Sequence, residues 1–404
     1  MTNSPKLRVP YALAVHGKEE RENVLAVLDE HRTNIGIEVA KFESSVSKSF
    51  GTKHGVMVNS GSSANLLALS LLNLPAGSEI ITPLLTFSTT ISPMVQLGLI
   101  PVFIDVLPGT YVIDIDKIES AITKKTKALV IPLLMGNVPD LSRLQKIAKK
   151  HSLFLMIDSC DTFAAEYKKK KTGKYADIVT TSFFGSHIIT AGGNGGMVLF
   201  DSNKWLPRAK MLRGWGRTSS IFSESESIEK RFKYKIGKLP YDAKFIFDEI
   251  GYNFLPNEMG AAFGNAQIKK VTIFKKTREK NFKELSKFFS KYLEYFIIPS
   301  QSKEAVTQWL AFPLTIKKSA PFSRLELVKY LEKENMQTRP IFTGNILEQP
   351  GFKKINHRLA TKTFATDEIM ERGFVIGCHH GMEQKHLERI YEVFEAFLKR
   401  FKNK

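Results

Sequence analysis

Between residues 54 and 200 the sequence alternates short, almost wholly apolar runs with helix-like segments, and this constrains the fold more than any other feature. The runs are GVMVN (55–59), SEIITPLLTF (78–87), GLIPVFIDV (98–106), KALVIPLLM (127–135), LFLMIDSCD (153–161), DIVTTSFF (177–184) and GMVLF (196–200). Helix-like stretches such as SGSSANLLALSLLNL (60–74) and DLSRLQKIAKKHS (140–152) lie between them. A strand buried on both faces reads as a continuous apolar run, as in a parallel sheet covered by helices on each side. The pattern therefore predicts an α/β fold with a mostly parallel sheet.

Residues 205–250 break the pattern. They are polar, basic and serine-rich, and read as a long loop or excursion of the kind that is functional or disordered in compact domains. A long helical pattern begins near Asn257 and runs, with room for a break, through NFKELSKFFSKYL. The remainder mixes strand-like WLAFPLTIK (309–317) with amphipathic FSRLELVKYLEKEN (322–335) and EQKHLERIYEVFEAFLKRF (383–401). Two domains are expected: residues 1–269, with an N-terminal helical segment, and a smaller α+β domain over 270–404.

Charge and cysteine content narrow the function classes. The net charge is +19, from 59 basic and 40 acidic residues. The lysines are scattered, and KKKK at 168–171 reads as a solvated hairpin turn. No zinc-finger or RNA-recognition pattern accompanies them, so nucleic acid is not an expected partner, whereas an anionic small substrate is compatible. Two cysteines 218 positions apart exclude a disulfide framework and any four-cysteine zinc or iron–sulfur site. No run reaches the ~18 apolar residues of a membrane span, and the start MTNSPKLRVPYALAVHG lacks the apolar core of a signal peptide. A cytoplasmic protein is expected.

Three stretches carry candidate chemistry. In VNSGSSANLLAL, a strand ends at Asn59 and Gly61–Ser62 open a helix. Free N–H groups and serine hydroxyls there suit a phosphate, or simply cap the helix. In LFLMIDSCDTF, an apolar strand delivers Asp158 and Asp161 to its C-terminal end, where open α/β sheets bind ligands. Two carboxylates with no nearby histidine or thiolate make a weak metal site, and none is assigned. In SFFGSHIITAGGNGGMV (182–198), His187 follows a strand end and no lysine occurs between Lys174 and Lys204. A lone histidine is either a polar loop residue or, with a pKa of roughly 6.5, a general base. Together with the ring of Phe87, these strand ends match what pyridoxal phosphate needs: a phosphate anchor, a carboxylate for the pyridinium nitrogen, a stacking face and a group near the reactive carbon.

The ordered set NSGSSANL, ITPLLTFSTT, PVFIDV, IDSCD, SFFGSH and GYNFLPNEMGAAFGNAQ resembles the DegT/DnrJ-type nucleotide-sugar aminotransferase superfamily over nearly the whole chain. The resemblance implies the fold-type I, aspartate aminotransferase-like architecture. In that superfamily the coenzyme-binding lysine stands five positions after the serine of the Ser-Phe pair; here that count from Ser182 lands on His187. A histidine there marks the branch of nucleotide 4-keto-6-deoxyhexose 3-dehydratases of dideoxysugar pathways. RGWGR (213–217), YDAKFIFDEIGYN (241–253) and TRPIFTGNILEQP (338–350) agree with that branch.

By this resemblance Gly61, Ser62 and Ser182 would hold the coenzyme phosphate. Asp158 would pair with the ring nitrogen, Phe87 would stack on the ring and Asp161 would lie near its hydroxyl. Asn253 would reach the coenzyme phosphate of the partner subunit in a homodimer with a shared site. His187 would be the base. The implied reaction is loss of the C3 hydroxyl from a nucleotide-linked 4-keto-6-deoxyhexose, with the coenzyme cycling between pyridoxal and pyridoxamine phosphate and glutamate restoring the amine. One subgroup uses a [2Fe–2S] cluster held by cysteines after RGWGR; RTSSIFSESES has none, which points to the cluster-independent mode. Arg213, Arg217 and Arg339 are candidates for the sugar diphosphate, with surface or interface ion pairs the alternative, and His379–His380 are candidates for substrate contact. AGGNGG departs from the superfamily's Gly-Glu-Gly-Gly by one extra residue. A sugar aminotransferase working without the lysine, and a catalytically silent coenzyme- or sugar nucleotide-binding protein, are the alternative functions.

Overall fold

The apolar runs form the strands expected of them. In the computed structural model the described residues are 6–222 and 227–401; the SESE stretch of the excursion (223–226) and the last three residues of the lysine-rich tail lie outside them. Seven runs become His54–Val58 (β1), Glu79–Pro83 (β2), Ile100–Ile104 (β3), Thr126–Pro132 (β4), Phe154–Asp158 (β5), Ile178–Ser182 (β6) and Gly196–Phe200 (β7). Three further strands, Phe296–Ile297 (β8), Phe312–Ile316 (β9) and Gly373–Ile376 (β11), form a small antiparallel sheet, β8-β9-β11; Arg358–Leu359 (β10) instead joins the large one. The large sheet runs β1-β7-β6-β5-β4-β2-β3-β10. Every neighbouring pair from β6 to β10 in that order is parallel, and only the pairs made by β7 are antiparallel. The mostly parallel sheet read from the sequence is present.

Among the described residues, ten helices of nine residues or more cover the sheets: Lys18–Asp29 (α1), Ile37–Phe50 (α2), Gly61–Leu72 (α3), Ser88–Gln96 (α4), Leu141–Lys150 (α5), Trp205–Arg213 (α6), Glu258–Phe289 (α7), Arg324–Lys333 (α8), Phe364–Arg372 (α9) and Gln384–Leu398 (α10). Several of them start at a side chain that caps free N–H groups. Ser60 accepts from the Ser63 amide at 3.1 Å, Asp140 from Arg143 at 2.9 Å and Asn257 from Gly260 at 2.7 Å. The helix after Asn257 has no break: α7 is one element of 32 residues, about 48 Å at 1.5 Å per residue. Its buried Glu258 accepts from the amides of Gly36, Glu38 and Val39, and so ties α7 to the start of α2.

Three expectations need amendment. The first nine residues of the 205–250 excursion are helical (α6), because Leu206, Ala209 and Leu212 pack on the apolar sheet face that also carries Val56 and Val198. The division at 269/270 falls inside α7, whose early residue Ala261 joins the core beneath the large sheet while Leu285, Phe288 and Phe289 join the second core. Val9, placed by position with the first domain, is fully buried in that second core. It makes a parallel bridge with Met336, because an apolar residue beside an open backbone edge completes both burial and hydrogen bonding. The lysine run behaves as read: Lys168 and Lys169, at φ of 47° and 59°, turn a hairpin in which Glu166–Tyr167 pairs with Lys170–Lys171. Among the described residues no helix is long and apolar enough to cross a membrane.

Two apolar layers sandwich the large sheet, one built on Phe42, Phe50, Ile81, Leu129 and Leu144, the other on Leu67, Ile91, Phe103, Val130 and Leu212. Burial on both faces leaves the C-terminal edge of the strands as the place where polar side chains meet.

Candidate active site

Register brings the first two strand ends together. Gly196, the first residue of β7, pairs with both Val58 of β1 and Ser182 of β6. A Cβ on Gly196 would stand 2.2 Å from the Ser60 carbonyl oxygen and 2.7 Å from the Gly61 nitrogen, so only glycine admits this approach. Gly61 consequently lies against Ser182, where its own Cβ would meet the serine Cβ at 2.6 Å and Oγ at 2.9 Å. The start of α3, with Ser62, and the end of β6 thus form a tight polar corner at a helix N-terminus, which favours an anion. Ser62 Oγ donates to Thr89 Oγ1 at 3.0 Å, which joins this corner to α4.

At the end of β5, Asp158 is 6% exposed and its carboxylate is firmly held. Oδ2 accepts from Asn65 Nδ2 at 2.8 Å and Thr90 Oγ1 at 2.9 Å, and Oδ1 accepts from the Cys160 amide at 3.2 Å. Thr180 Oγ1 donates to Asn65 Oδ1 at 2.6 Å, which fixes the amide with its donor toward Asp158. Asp161 is anchored from the neighbouring strand end: its Oδ2 accepts from the amide of Met135, a residue held at φ 57°. Burial, with the nearby charge of Asp158 adding to it, raises the Asp161 carboxyl to about 8 against the opposing Met135 hydrogen bond. Burial likewise pushes the Cys160 thiol well above its ordinary value.

His187 sits in the loop after β6, and the AGGNGG cluster closes that loop. Gly185 N donates to Gly193 O, Ala191 N to Phe183 O and Gly193 N to Thr190 Oγ1, at 2.9–3.1 Å. Gly193 and Gly195 take φ of 107° and 140°, which side chains rarely adopt, so the glycines bring the chain from the histidine back to β7. Among the described residues, no group meets the His187 Nδ1 atom at good hydrogen-bond geometry, although it is buried. Burial lowers the imidazole to about 4, with the Ser182 backbone and the Asp158 charge opposing it and Arg278 assisting, so the ring is neutral at neutral pH.

One cavity of about 410 Å3 is lined by Gly61, Ser62, Phe87, Asp158, Asp161, Ser182 and His187. These are seven of the side chains and backbone positions named from the sequence. Phe87 is half exposed, with its ring edge-to-face with Phe342 at 5.8 Å. The lining also includes residues that sequence reasoning missed: Tyr11, Asn65, Thr89, Thr90, Cys160 and Phe342. Asn65 lies in the quoted NSGSSANL, one helical turn beyond Gly61, and its helical spacing is the signal that could have found it. Nothing in the local sequence around Tyr11 or Phe342 announces them, since both arrive from distant chain segments.

The candidate substrate groups are placed elsewhere. Arg213 is buried, its Nη1 bonded to Glu43 Oε1 at 2.8 Å and the Met57 carbonyl at 2.9 Å, because a buried guanidinium requires a counter-charge. Arg217 stacks over Trp215 at 4.2 Å, outside the cavity. Arg339 is exposed, and its guanidinium lies 5.6 Å from the ring of Tyr11. Asn253 is exposed on a bridge with Gly214 and does not line this chain's cavity. His379 Nε2 donates to the Pro10 carbonyl, and His380 accepts from Arg278 Nε and stacks on Phe274 at 3.8 Å. Both belong to an interior network rather than to the cavity.

Comparison with known proteins supplies an independent view of the same chain. A sequence profile described as the DegT/DnrJ/EryC1/StrS aminotransferase family matches residues 15–395. The chain is 37% identical over 367 residues to the lipopolysaccharide biosynthesis protein RfbH of Salmonella typhimurium, covering 88% of this chain and 84% of that one. It is 35% identical over 398 residues to the dTDP-4-dehydro-2,6-dideoxy-D-glucose 3-dehydratase of Saccharopolyspora spinosa, covering 95% and 85%. A crystal structure of a GDP-4-keto-6-deoxymannose-3-dehydratase with a trapped PLP-glutamate geminal diamine superposes with a TM-score of 0.87 at 28% identity, over 95% of this chain and 99% of the other.

Proposed function

Because this chain belongs to the DegT/DnrJ/EryC1/StrS aminotransferase family, we propose that it is a coenzyme-dependent 3-dehydratase that removes the C3 hydroxyl of a nucleotide-linked 4-keto-6-deoxyhexose. Its fold is that of the fold-type I pyridoxal phosphate enzymes. The observation that carries this reading is His187: an imidazole lines the cavity, at the position where the sequence resemblance would put the family's coenzyme-binding lysine, and no lysine lines it among the described residues.

The cavity fits pyridoxal or pyridoxamine 5′-phosphate on three counts. The Gly61–Ser182 corner is a recess that a single Cβ would fill, beside a helix start rich in hydroxyls. The Asp158 carboxylate is already oriented by Asn65 and Thr90 and keeps acceptor capacity for a ring nitrogen. Phe87 offers an open aromatic face at the cavity wall. Gly61, Ser62 and Ser182 would therefore hold the phosphate, Asp158 the ring nitrogen, Phe87 the ring face and Asp161 the ring hydroxyl. When bound, the coenzyme supplies an amine that condenses with the C4 ketone and a ring that takes up electrons.

The protein's own part is proton handling and positioning. His187 cannot hold the coenzyme covalently, and its neutral imidazole is ready to take a proton and return it. Asp158 would pair with the ring nitrogen and favour its protonated form. A dimer in which Asn253 reaches the partner subunit's coenzyme, glutamate as amino donor, and a cytoplasmic role in making dideoxysugars for cell-surface polysaccharide complete the proposal. The similarity to a lipopolysaccharide biosynthesis protein supports the polysaccharide role, and the similarity to a structure with a trapped PLP-glutamate adduct supports glutamate as the donor. The test is incubation with coenzyme, glutamate and a panel of dTDP- and GDP-linked 4-keto-6-deoxyhexoses, followed by product mass. Loss of one oxygen is expected; gain of an amino group in its place would refute the assignment.

A further inference from the structure

Three residues of the cavity lining, Tyr11, Leu310 and Phe342, come from outside the large-sheet strand ends, and Tyr11 alone among them carries a polar side chain. All other lining groups come from the large-sheet strand ends and the segments following them. Tyr11 stands on a strap, residues 6–11, sewn to the second core. Val9 N donates to Asn335 O at 3.0 Å, Gln337 N to Val9 O at 2.9 Å and Tyr11 N to Gln337 Oε1 at 3.2 Å, while Lys6 pairs with Glu334. The ring is pinned beneath the Arg339 guanidinium. Backbone and ring are thus fixed, yet among the described residues the phenol oxygen has no hydrogen-bond partner. Tyr11 also precedes residues 15–395, the part of the chain that matches the family profile. A fixed, unpaired phenol in an otherwise apolar wall is a group set out for a ligand, because an aromatic side chain held this way loses little entropy on making the bond.

We propose that Tyr11 is a specificity-determining residue of the substrate site, its phenol donating a hydrogen bond to a hydroxyl of the bound hexose. This rests on the functional reading above. Burial, with the Asp161 charge adding to it, raises the phenol to about 12, so it remains a donor throughout the working range. Leu310 and Phe342 supply the apolar surface against which the sugar's carbon face rests.

The test uses Tyr11→Phe in the full chain loaded with pyridoxal phosphate. This substitution keeps the ring under Arg339 and removes only the hydroxyl. Calorimetric affinities are compared for GDP-mannose and dTDP-glucose, which lack the reactive ketone, and for GDP and dTDP alone. The expected result is about three- to tenfold weaker binding of the better-bound sugar nucleotide, the size of one neutral hydrogen bond, with no change for the bare nucleotide. Equal changes for sugar nucleotide and nucleotide, or no change in either, would overturn the role of Tyr11 while leaving the dehydratase reading in place. A wild-type protein that binds neither sugar nucleotide overturns both.

Discussion

Substituting Gly61 by alanine probes the phosphate corner with a single methyl group. Gly61 opens α3 with ordinary backbone angles, so alanine is conformationally acceptable and improves helix propensity by up to about 1 kcal/mol. The obstacle is steric. The new Cβ would stand 2.6 Å from Ser182 Cβ, 2.9 Å from its Oγ and 3.1 Å from Cys160 Sγ. Ser182 cannot retreat freely, because it ends a strand paired on both sides and faces Gly196. Overpacking of this kind costs about 1–3 kcal/mol, so after the propensity gain the net loss of stability without coenzyme is at most about 3 kcal/mol. The functional loss is larger. Displacing α3 from β6 separates the donors of one anion site, and each hydrogen bond to a charged group is worth about 1.5–3 kcal/mol, or roughly ten- to a hundredfold in affinity. Titration of the coenzyme-free protein with pyridoxal phosphate, followed by absorbance, reads the affinity; thermal unfolding with and without coenzyme reads the stabilisation that binding confers. A Gly61→Ala protein that melts near the wild type and binds pyridoxal phosphate with wild-type affinity would refute the phosphate corner.

Further outcomes follow from the same geometry. His187→Lys should bind coenzyme in a form that borohydride fixes to the chain, and should dehydrate about 10²–10⁴-fold more slowly; undiminished turnover would remove His187 from the mechanism. His379 is fully buried and its pKa is lowered to about 4 by burial, with Arg278 assisting. The unfolded chain takes up a proton below about 6.5 and the folded one does not, so this stability is complete above 6.5 and is lost as pH falls toward 4. Its size is on the order of 3 kcal/mol, and denaturant melts of His379→Gln should lack that pH dependence. Asp161 has the opposite sign: with its pKa raised to about 8, stability is complete below the ordinary carboxylate range and declines as pH rises through 8. Asp161→Asn should therefore raise the melting temperature of the coenzyme-free protein more at pH 8 than at pH 5, and an equal gain at both would contradict the assignment.

The strand framework and most of the cavity were legible because both are local. Each apolar run carries its own burial pattern, and Asp158, Ser182 and His187 stand at or just past the ends of such runs, where a parallel sheet gathers its polar groups. Trp205–Arg213 was not legible as a helix, because only a few apolar residues, Leu206, Ala209 and Leu212, mark its packed side among basic neighbours. What could not be read is what depends on distant pairing. Tyr11 enters the cavity because Val9 pairs beside Met336, more than 300 residues away, and no local pattern encodes that. Arg213 shows the converse, since its identity suits phosphate but Glu43, brought to it by folding, already neutralises it. The glycine cluster after His187 was legible only as an anomaly; its close approach to Ser60 and its positive φ angles explain the glycines in structural terms.

The most direct measurement of the central claim counts two products of the complete reaction. With coenzyme, glutamate and the converted 4-keto-6-deoxy nucleotide sugar, dehydration releases one ammonia for every 2-oxoglutarate formed and a sugar lacking one oxygen. Transamination forms 2-oxoglutarate and an amino sugar but no free ammonia. A ratio of ammonia to 2-oxoglutarate near unity is the result predicted here, and 2-oxoglutarate formed without ammonia would contradict it.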